Sequence, residues 1–246
     1  MIRPSPEWPI PRVFAHRCGG ALAPENTLAG LRIAAALGIR AVEFDVMLSA
    51  DGTPWLIHDE TLERTTDGIG QVCSSADTVL QTLDAGKYHH RSYALEPLPT
   101  FESAAALCRE LGIQANVEIK PAAGFEAITG EVVARRILDL WHGAPLPLVS
   151  SFSGTALESA RRVSPMLPMG HLWDIPPTDW LSRIEELNAY SLHCSAKVDD
   201  AVISEAKKKG IPVLCWTVNE RPLAESLLKR GVTSVICDRI DLMRGL

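Results

Sequence analysis

Five residues constrain this chain more than any other stretch: Val42-Glu43-Phe44-Asp45-Val46, an apolar run with two carboxylates alternating into it. That period is a β-strand's, and it places Glu43 and Asp45 on one face, about 7 Å apart. Ala41, Val42, Phe44 and Val46 make the surroundings apolar. Two acids buried side by side repel each other, and a divalent cation between them removes the conflict. Asp51-Gly52 then signals a two-residue turn, and Trp55-Leu56-Ile57-His58-Asp59 returns as the second arm of a hairpin. With Asp51 and Gly52 as the loop, residue 50 faces 53, and counting along both arms puts Asp45 opposite His58. A solvated edge strand is the plainer home for two acids, but the apolar residues of both arms argue against it.

The 246 residues suit one large domain, so residues 1–246 are read as a single unit. A net charge of -6 excludes a broad nucleic-acid footprint, which needs a basic face, yet leaves room for one small phosphate ester in a locally positive pocket. The six cysteines are scattered, without a Cys-x-x-Cys pair, and read as reduced thiols rather than a zinc site. Met1 to Pro9 contains no apolar signal region and no run reaches transmembrane length, so the expectation is a cytoplasmic protein with no stable membrane insertion.

Strand-like runs begin near residues 13, 42, 116, 148, 169, 190, 213 and 234, and helical patterns stand between them. About eight such repeats predict a (β/α)8 TIM barrel. A doubly wound open sheet would carry a Gly-rich phosphate turn after its first strand, and none is present. Periodicity is lost from about 60 to 99, which predicts an inserted small subdomain or lid after the second strand. Barrel sites gather at the C-terminal ends of strands. His16, Arg17, Glu43, Asp45, Glu118, Lys120 and Trp216 all take such positions.

Three acids, Glu43, Asp45 and Glu118, offer oxygen ligands alone and suit one hard cation, Mg²⁺ or Ca²⁺. Arg17 and Lys120 supply charge-assisted bonds to a phosphate. His16 and His58 then form a general acid and base, and Trp216 a wall for the substrate's alcohol group. The set points to metal-assisted cleavage of a phosphodiester. Plainer roles exist: Lys120 can neutralise Glu118, Arg17 can bridge to a helix end, and Trp216 can be core packing. His89, His90, His142, His171 and His193 take the ordinary role of hydrogen-bonded residues, and Glu25-Asn26 that of capping and support.

Together, His16-Arg17, Pro24-Glu25-Asn26-Thr27, Glu43-Phe44-Asp45-Val46, Asp51-Gly52, His58-Asp59 and Glu118-Ile119-Lys120 resemble the glycerophosphodiester phosphodiesterases, over nearly the whole chain. Trp216-Thr217-Val218-Asn219 and Cys237-Asp238 also fit, while Leu62-Glu63-Arg64-Thr65 and Ser150-Ser151-Phe152 look most like the cytoplasmic bacterial enzymes of the Ugp uptake system. The resemblance implies divalent-metal dependence and hydrolysis of small-molecule glycerophosphodiesters to sn-glycerol 3-phosphate and an alcohol. By position it implies His16 and His58 as the acid/base pair, Glu43, Asp45 and Glu118 as metal ligands, and Arg17 and Lys120 as phosphate contacts. One departure stands out: where most members have glycine after His-Arg, this chain has Cys18. A lysophospholipase D or phospholipase C of the same barrel type would need an apolar or basic rim, which the sequence does not display. A non-catalytic phosphodiester-binding protein would be expected to have lost His16 or His58.

Overall fold

The computed structural model describes residues 3–246, so Met1 and Ile2, at the head of the N-terminal stretch read above, lie outside it. Strand β1 (Val13–Ala15) leads through α1 (Leu28–Ala36) to β2 (Ala41–Leu48), which turns back into the short β3 (Pro54–Leu56). A long segment containing α2 (Asp77–Leu80) follows. Regular alternation then resumes with α3 (Phe101–Leu111), β4 (Gln114–Ile119), α4 (Glu126–Leu140), β5 (Leu148–Ser151), α5 (Gly154–Val163) and β6 (Met169–Trp173). It ends with α6 (Trp180–Glu186), β7 (Ser191–Ser195), α7 (Asp200–Lys208), β8 (Val213–Trp216), α8 (Arg221–Arg230) and β9 (Ser234–Cys237).

The parallel strands run in the order β1-β2-β4-β5-β6-β7-β8-β9 and close through Ala15 beside Val42 and Val13 beside Val235. This is the closed (β/α)8 barrel that the repeat predicts. Strand alternation divides the side chains between two environments. Phe44, Val46, Val117 and Ile119 join the layer between strands and helices, whereas Glu43, Asp45 and Glu118 turn to the pocket at the barrel's mouth. Trp8, Phe14, Ala41, Leu148, Leu214 and Ile236 form a separate apolar cluster. Burying each large side chain of that cluster contributes about 2 kcal/mol, which offsets part of the cost of the polar groups buried elsewhere in the barrel. Both ends of α3 are capped by local chemistry, with Thr100 Oγ1 accepting from Ser103 N–H at 3.2 Å and Gly112 ending the helix at φ 64°.

The hairpin register differs from the predicted one. Val46 pairs with Leu56, Met47 with Trp55 and Leu48 with Pro54, so the loop holds three residues, Ala50, Asp51 and Gly52. Gly52 takes the left-handed position at φ 80°, which a three-residue hairpin demands. Ser49 N–H bonds to Thr53 O at 2.9 Å, and Asp51 Oδ2 accepts from Asp77 N–H at 2.7 Å instead of serving the turn. Asp45 therefore faces Ile57, whose N–H reaches the Asp45 carbonyl at 3.2 Å. A strict one-residue slip would send His58 to the opposite face. Because β3 stops at Leu56, the bend after it turns His58 back into the pocket.

Between β3 and α3 the chain is held by short bridges, Thr61 with Gln71 and Asp84 with Pro97. It also has an apolar cluster of its own, in which Leu62, Val72, Leu80, Leu83, Ala85 and Leu98 pack on Met47, Trp55 and Ile57 of the hairpin.

Candidate active site

The loop after β1 sets the site's floor. His16 N–H bonds to Cys237 O at 3.0 Å, Cys18 N–H to Glu43 O at 2.8 Å, and Arg17 N–H to Glu43 Oε2 at 3.0 Å. The three bonds tie the loop to β2 and β9 together. At the C-terminal mouth a pocket of about 80 Å³ is lined by His16, Arg17, Glu43, Asp45, His58, Glu118, Lys120 and Trp216. All eight residues singled out in the sequence meet there. Phe152 joins them, its ring edge-on to Trp216 at 5.5 Å.

Asp45 and Glu118 sit side by side in the β2–β4 register. Among the described residues, Glu43, Asp45 and Glu118 form a buried cluster whose carboxylate oxygens come within 4.8 Å of one another. Burial pushes Glu43 well above its usual range, and Asp45 and Glu118 add to the shift. Burial, helped by Asp45, pushes Glu118 up to about 8. Burial would raise Asp45 too, but Lys120, His58 and Arg17 outweigh it and lower its pKa. Asn26 Nδ2 donates to Asp45 at 2.9 Å, Lys120 Nζ lies 3.6 Å from it and 3.7 Å from Glu118, and Arg17 Nε lies 3.8 Å away. Lys120 thus neutralises two acids at once. Arg17 bridges Asp45 and Glu25 rather than a helix end. Glu43 Oε1 is buried with no hydrogen-bond partner. An orphaned carboxyl oxygen beside two more acids is what an oxygen-seeking divalent cation satisfies, with release of any proton held there.

Each pocket histidine leans on a carboxylate through Nδ1. His16 Nδ1 is 2.7 Å from Asp238 Oδ1, and Asp238 is clasped by Asn219, which donates Nδ2–H at 2.9 Å and accepts Asp238 N–H at 2.8 Å. His58 Nδ1 is 2.6 Å from Asp59 Oδ1. Burial lowers the His58 pKa; Asp45 and Asp59 work against the shift, and Lys120 and Arg17 reinforce it. Nδ1 being occupied, Nε2 of each ring is the atom left for chemistry. In the sequence, Asp238 and Asn219 stand only within the family resemblance, with no role attached. The position of Asp238, directly beyond an apolar strand, was the available signal. Asp238→Ala is expected to lower the rate of any reaction using His16 by about 10-fold or more, with little change in melting temperature. Steady-state kinetics on the purified variant checks it, and an unchanged kcat would remove Asp238 from the machinery.

Cys18 does not line the pocket. It is fully buried behind the loop and packs against α1, so close that a β-carbon added at Gly30 would come within 3.0 Å of its own. Its φ of 75° is the left-handed region that glycine enters freely. Cys18→Gly would relieve about 1 kcal/mol of backbone strain and forfeit a similar amount of buried thiol. We expect turnover within about 3-fold of the parent and a small shift in melting temperature, measured by activity assay and calorimetry. Gly20 is less tolerant: at φ 58°, an added β-carbon would lie 2.2 Å from the carbonyl oxygen of Asp238.

The profile of the glycerophosphoryl diester phosphodiesterase family matches residues 16–242. A glycerophosphodiester phosphodiesterase of Caldanaerobacter subterraneus subsp. tengcongensis is 30% identical over 95% of this chain and 96% of its own. A phosphodiesterase of Oleispira antarctica, solved in complex with the product sn-glycerol-3-phosphate, superposes with a TM-score of 0.91 at 37% identity, covering 94% of both chains. A putative glycerophosphoryl diester phosphodiesterase of Silicibacter pomeroyi shares the fold, with a TM-score of 0.81 at 24% identity over 96% of this chain and 92% of that one. With a match across almost its full length and a barrel that superposes on solved members, this chain belongs to the glycerophosphoryl diester phosphodiesterase family and is an enzyme of that type.

Proposed function

We propose that this chain hydrolyses small glycerophosphodiesters to sn-glycerol 3-phosphate and an alcohol, with His16 and His58 as the general acid/base pair and one Mg²⁺ or Ca²⁺ held by Glu43, Asp45 and Glu118. The observation that carries this reading is the single pocket in which three carboxylates, two carboxylate-held imidazoles and two cationic side chains converge. A bound cation would neutralise charge building on the phosphate oxygens. Arg17 offers a planar fork to those oxygens and Lys120 a point charge. One imidazole takes a proton through Nε2 from the attacking oxygen, that of water or that of the glycerol 2-hydroxyl with water then opening the cyclic ester, and the other gives its proton to the departing alkoxide. Trp216 and Phe152 wall the pocket, and the buried Trp216 Nε1–H, which has no partner, is a donor for a substrate oxygen.

We take residues 1–246 as one catalytic domain with 60–99 as its insertion, and favour the cytoplasm because five of the six cysteines are buried, unpaired thiols. No helix among the described residues is long and apolar enough to cross a membrane.

An acyl-bearing substrate is the second reading. Phe125, Ile128, Phe152 and Ile175 are exposed in or beside the loops after β4, β5 and β6, and Phe152 also lines the pocket. The decisive assay follows release of glycerol 3-phosphate from glycerophosphocholine with Mg²⁺ or Ca²⁺ and again with excess chelator, with lysophosphatidylcholine in parallel. We expect chelator-sensitive turnover of the water-soluble ester. Turnover of the lysolipid alone would establish the second reading, and none of either ester would refute both.

A further inference from the structure

Arg64 belongs to the segment between β3 and α3, outside the pocket, and presents two edges of one guanidinium to two carboxylates. Its Nε and Nη2 meet Asp59 Oδ2 and Oδ1 at 2.5 and 3.1 Å. Its Nη1 and Nη2 meet Glu25 Oε2 and Oε1 at 2.8 and 2.7 Å. Each carboxylate then touches one pocket residue: Asp59 Oδ1 holds His58 Nδ1 at 2.6 Å, and Glu25 Oε1 accepts from Arg17 Nη1 at 2.9 Å. Charge alternates along the series Asp59, Arg64, Glu25, Arg17, and the series ends on Asp45 through Arg17 Nε at 3.8 Å.

Stability alone does not call for so constrained an arrangement. The Arg64 side chain is 46% exposed, and exposed ion pairs contribute about 0 to 1 kcal/mol. A doubly bidentate guanidinium instead supplies direction, since two planar forks fix both carboxylates in angle as well as distance. An ionised Asp59 accepts hydrogen bonds and donates none, so the His58 atom facing it carries the proton. If Asp59 swung free, the imidazole would lose both that tautomer and its orientation. His16 is held differently, through Asp238 and the neutral Asn219 amide.

We propose that Arg64 is a positioning residue that couples the two working arms of the pocket, holding His58 as its Nδ1–H tautomer through Asp59 and aiming the Arg17 fork through Glu25. The kinetic part rests on the hydrolase reading above; the tautomer part does not. The segment between β3 and α3 is thereby a working part of the site. Its two links also separate, with the Asp59 side governing the proton transfer and the Glu25 side governing the hold on phosphate.

The test uses the full chain with its divalent cation present. Arg64→Gln and Arg64→Lys are expected to lose about 10-fold or more in kcat, and KM to rise several-fold. Lysine does not rescue, because an ammonium cannot serve two carboxylates in fixed planes. Glu25→Gln, which spares the Asp59 link, is expected to raise KM more than it lowers kcat. Nitrogen-15 imidazole spectra at pH 7.5 read the tautomer without turnover: one Nδ1–H species for His58 in the parent, a mixture in Arg64→Gln. An Arg64→Lys enzyme with parental kcat and KM, or unchanged His58 spectra in Arg64→Gln, would overturn the proposal. If Arg64→Gln melts without cooperativity, Arg64→Lys and Glu25→Gln carry the test. A parent that hydrolyses no glycerophosphodiester refutes the hydrolase reading, and the spectra still decide the role of Arg64.

Discussion

His58→Ala is expected to lower kcat by about 10²- to 10⁴-fold, the usual worth of a positioned proton-transfer group, while cation affinity stays within a few-fold of the parent. His58 spends Nδ1 on Asp59 and is not one of the clustered oxygen ligands. Removing its ring leaves Asp45 with Asn26, Lys120 and Arg17, so the acidic cluster keeps its support. Asp59 likewise keeps Arg64. Steady-state kinetics and calorimetric cation titration of one preparation separate the roles. A variant that loses cation affinity would make His58 a ligand, and one that retains a tenth or more of its turnover would remove it from proton transfer.

The second large effect concerns the cation and pH. Glu118 sits near pKa 8 in the folded chain against an ordinary 4.5, so the cation-free folded state binds more protons than the unfolded chain between those values. Stability therefore falls as pH rises through that window. Glu43 is shifted in the same direction, by burial and by its two acidic neighbours. His58, His171 and His193 are lowered by burial, so their contribution runs the other way, but its growth fades above about pH 6.5 and is nearly complete by about pH 7.5. Between about pH 7 and 8 the carboxylates dominate this balance. The melting temperature of chelated protein is expected to drop across that range, and Mg²⁺ or Ca²⁺ added at pH 8 to restore it with release of protons. Glu118→Ala should flatten the profile and weaken cation affinity by about 100-fold or more, with turnover falling alongside. A flat profile in the parent, or a normal cation titration in Glu118→Ala, would remove Glu118 from the ligand set.

The hairpin shows where local reading stops. Asp51-Gly52 correctly marked a reversal, but the loop length was decided by Ser49 pairing with Thr53 and by Asp51 turning to Asp77, a residue 26 positions on. The predicted neighbourhood of Asp45 and His58 survived for a different reason, the early end of β3. The partners of the histidines were harder still. Asp238 reaches His16 across 222 residues of sequence because β9 closes the barrel on β1. Arg64 lies where periodicity is absent, and Leu62-Glu63-Arg64-Thr65 marks it only through a resemblance, with no role attached.

By itself, then, the sequence determined the alternation of strands and helices and the face on which Glu43, Asp45 and Glu118 stand, because side-chain direction along a strand follows from local backbone geometry. The tertiary structure alone decided which carboxylate steadies each histidine, how Arg64 joins His58 to Arg17, and that Cys18 is buried behind the loop. Those contacts depend on barrel closure and on the packing of an aperiodic segment against it, and such long-range pairings leave no period in the chain to read.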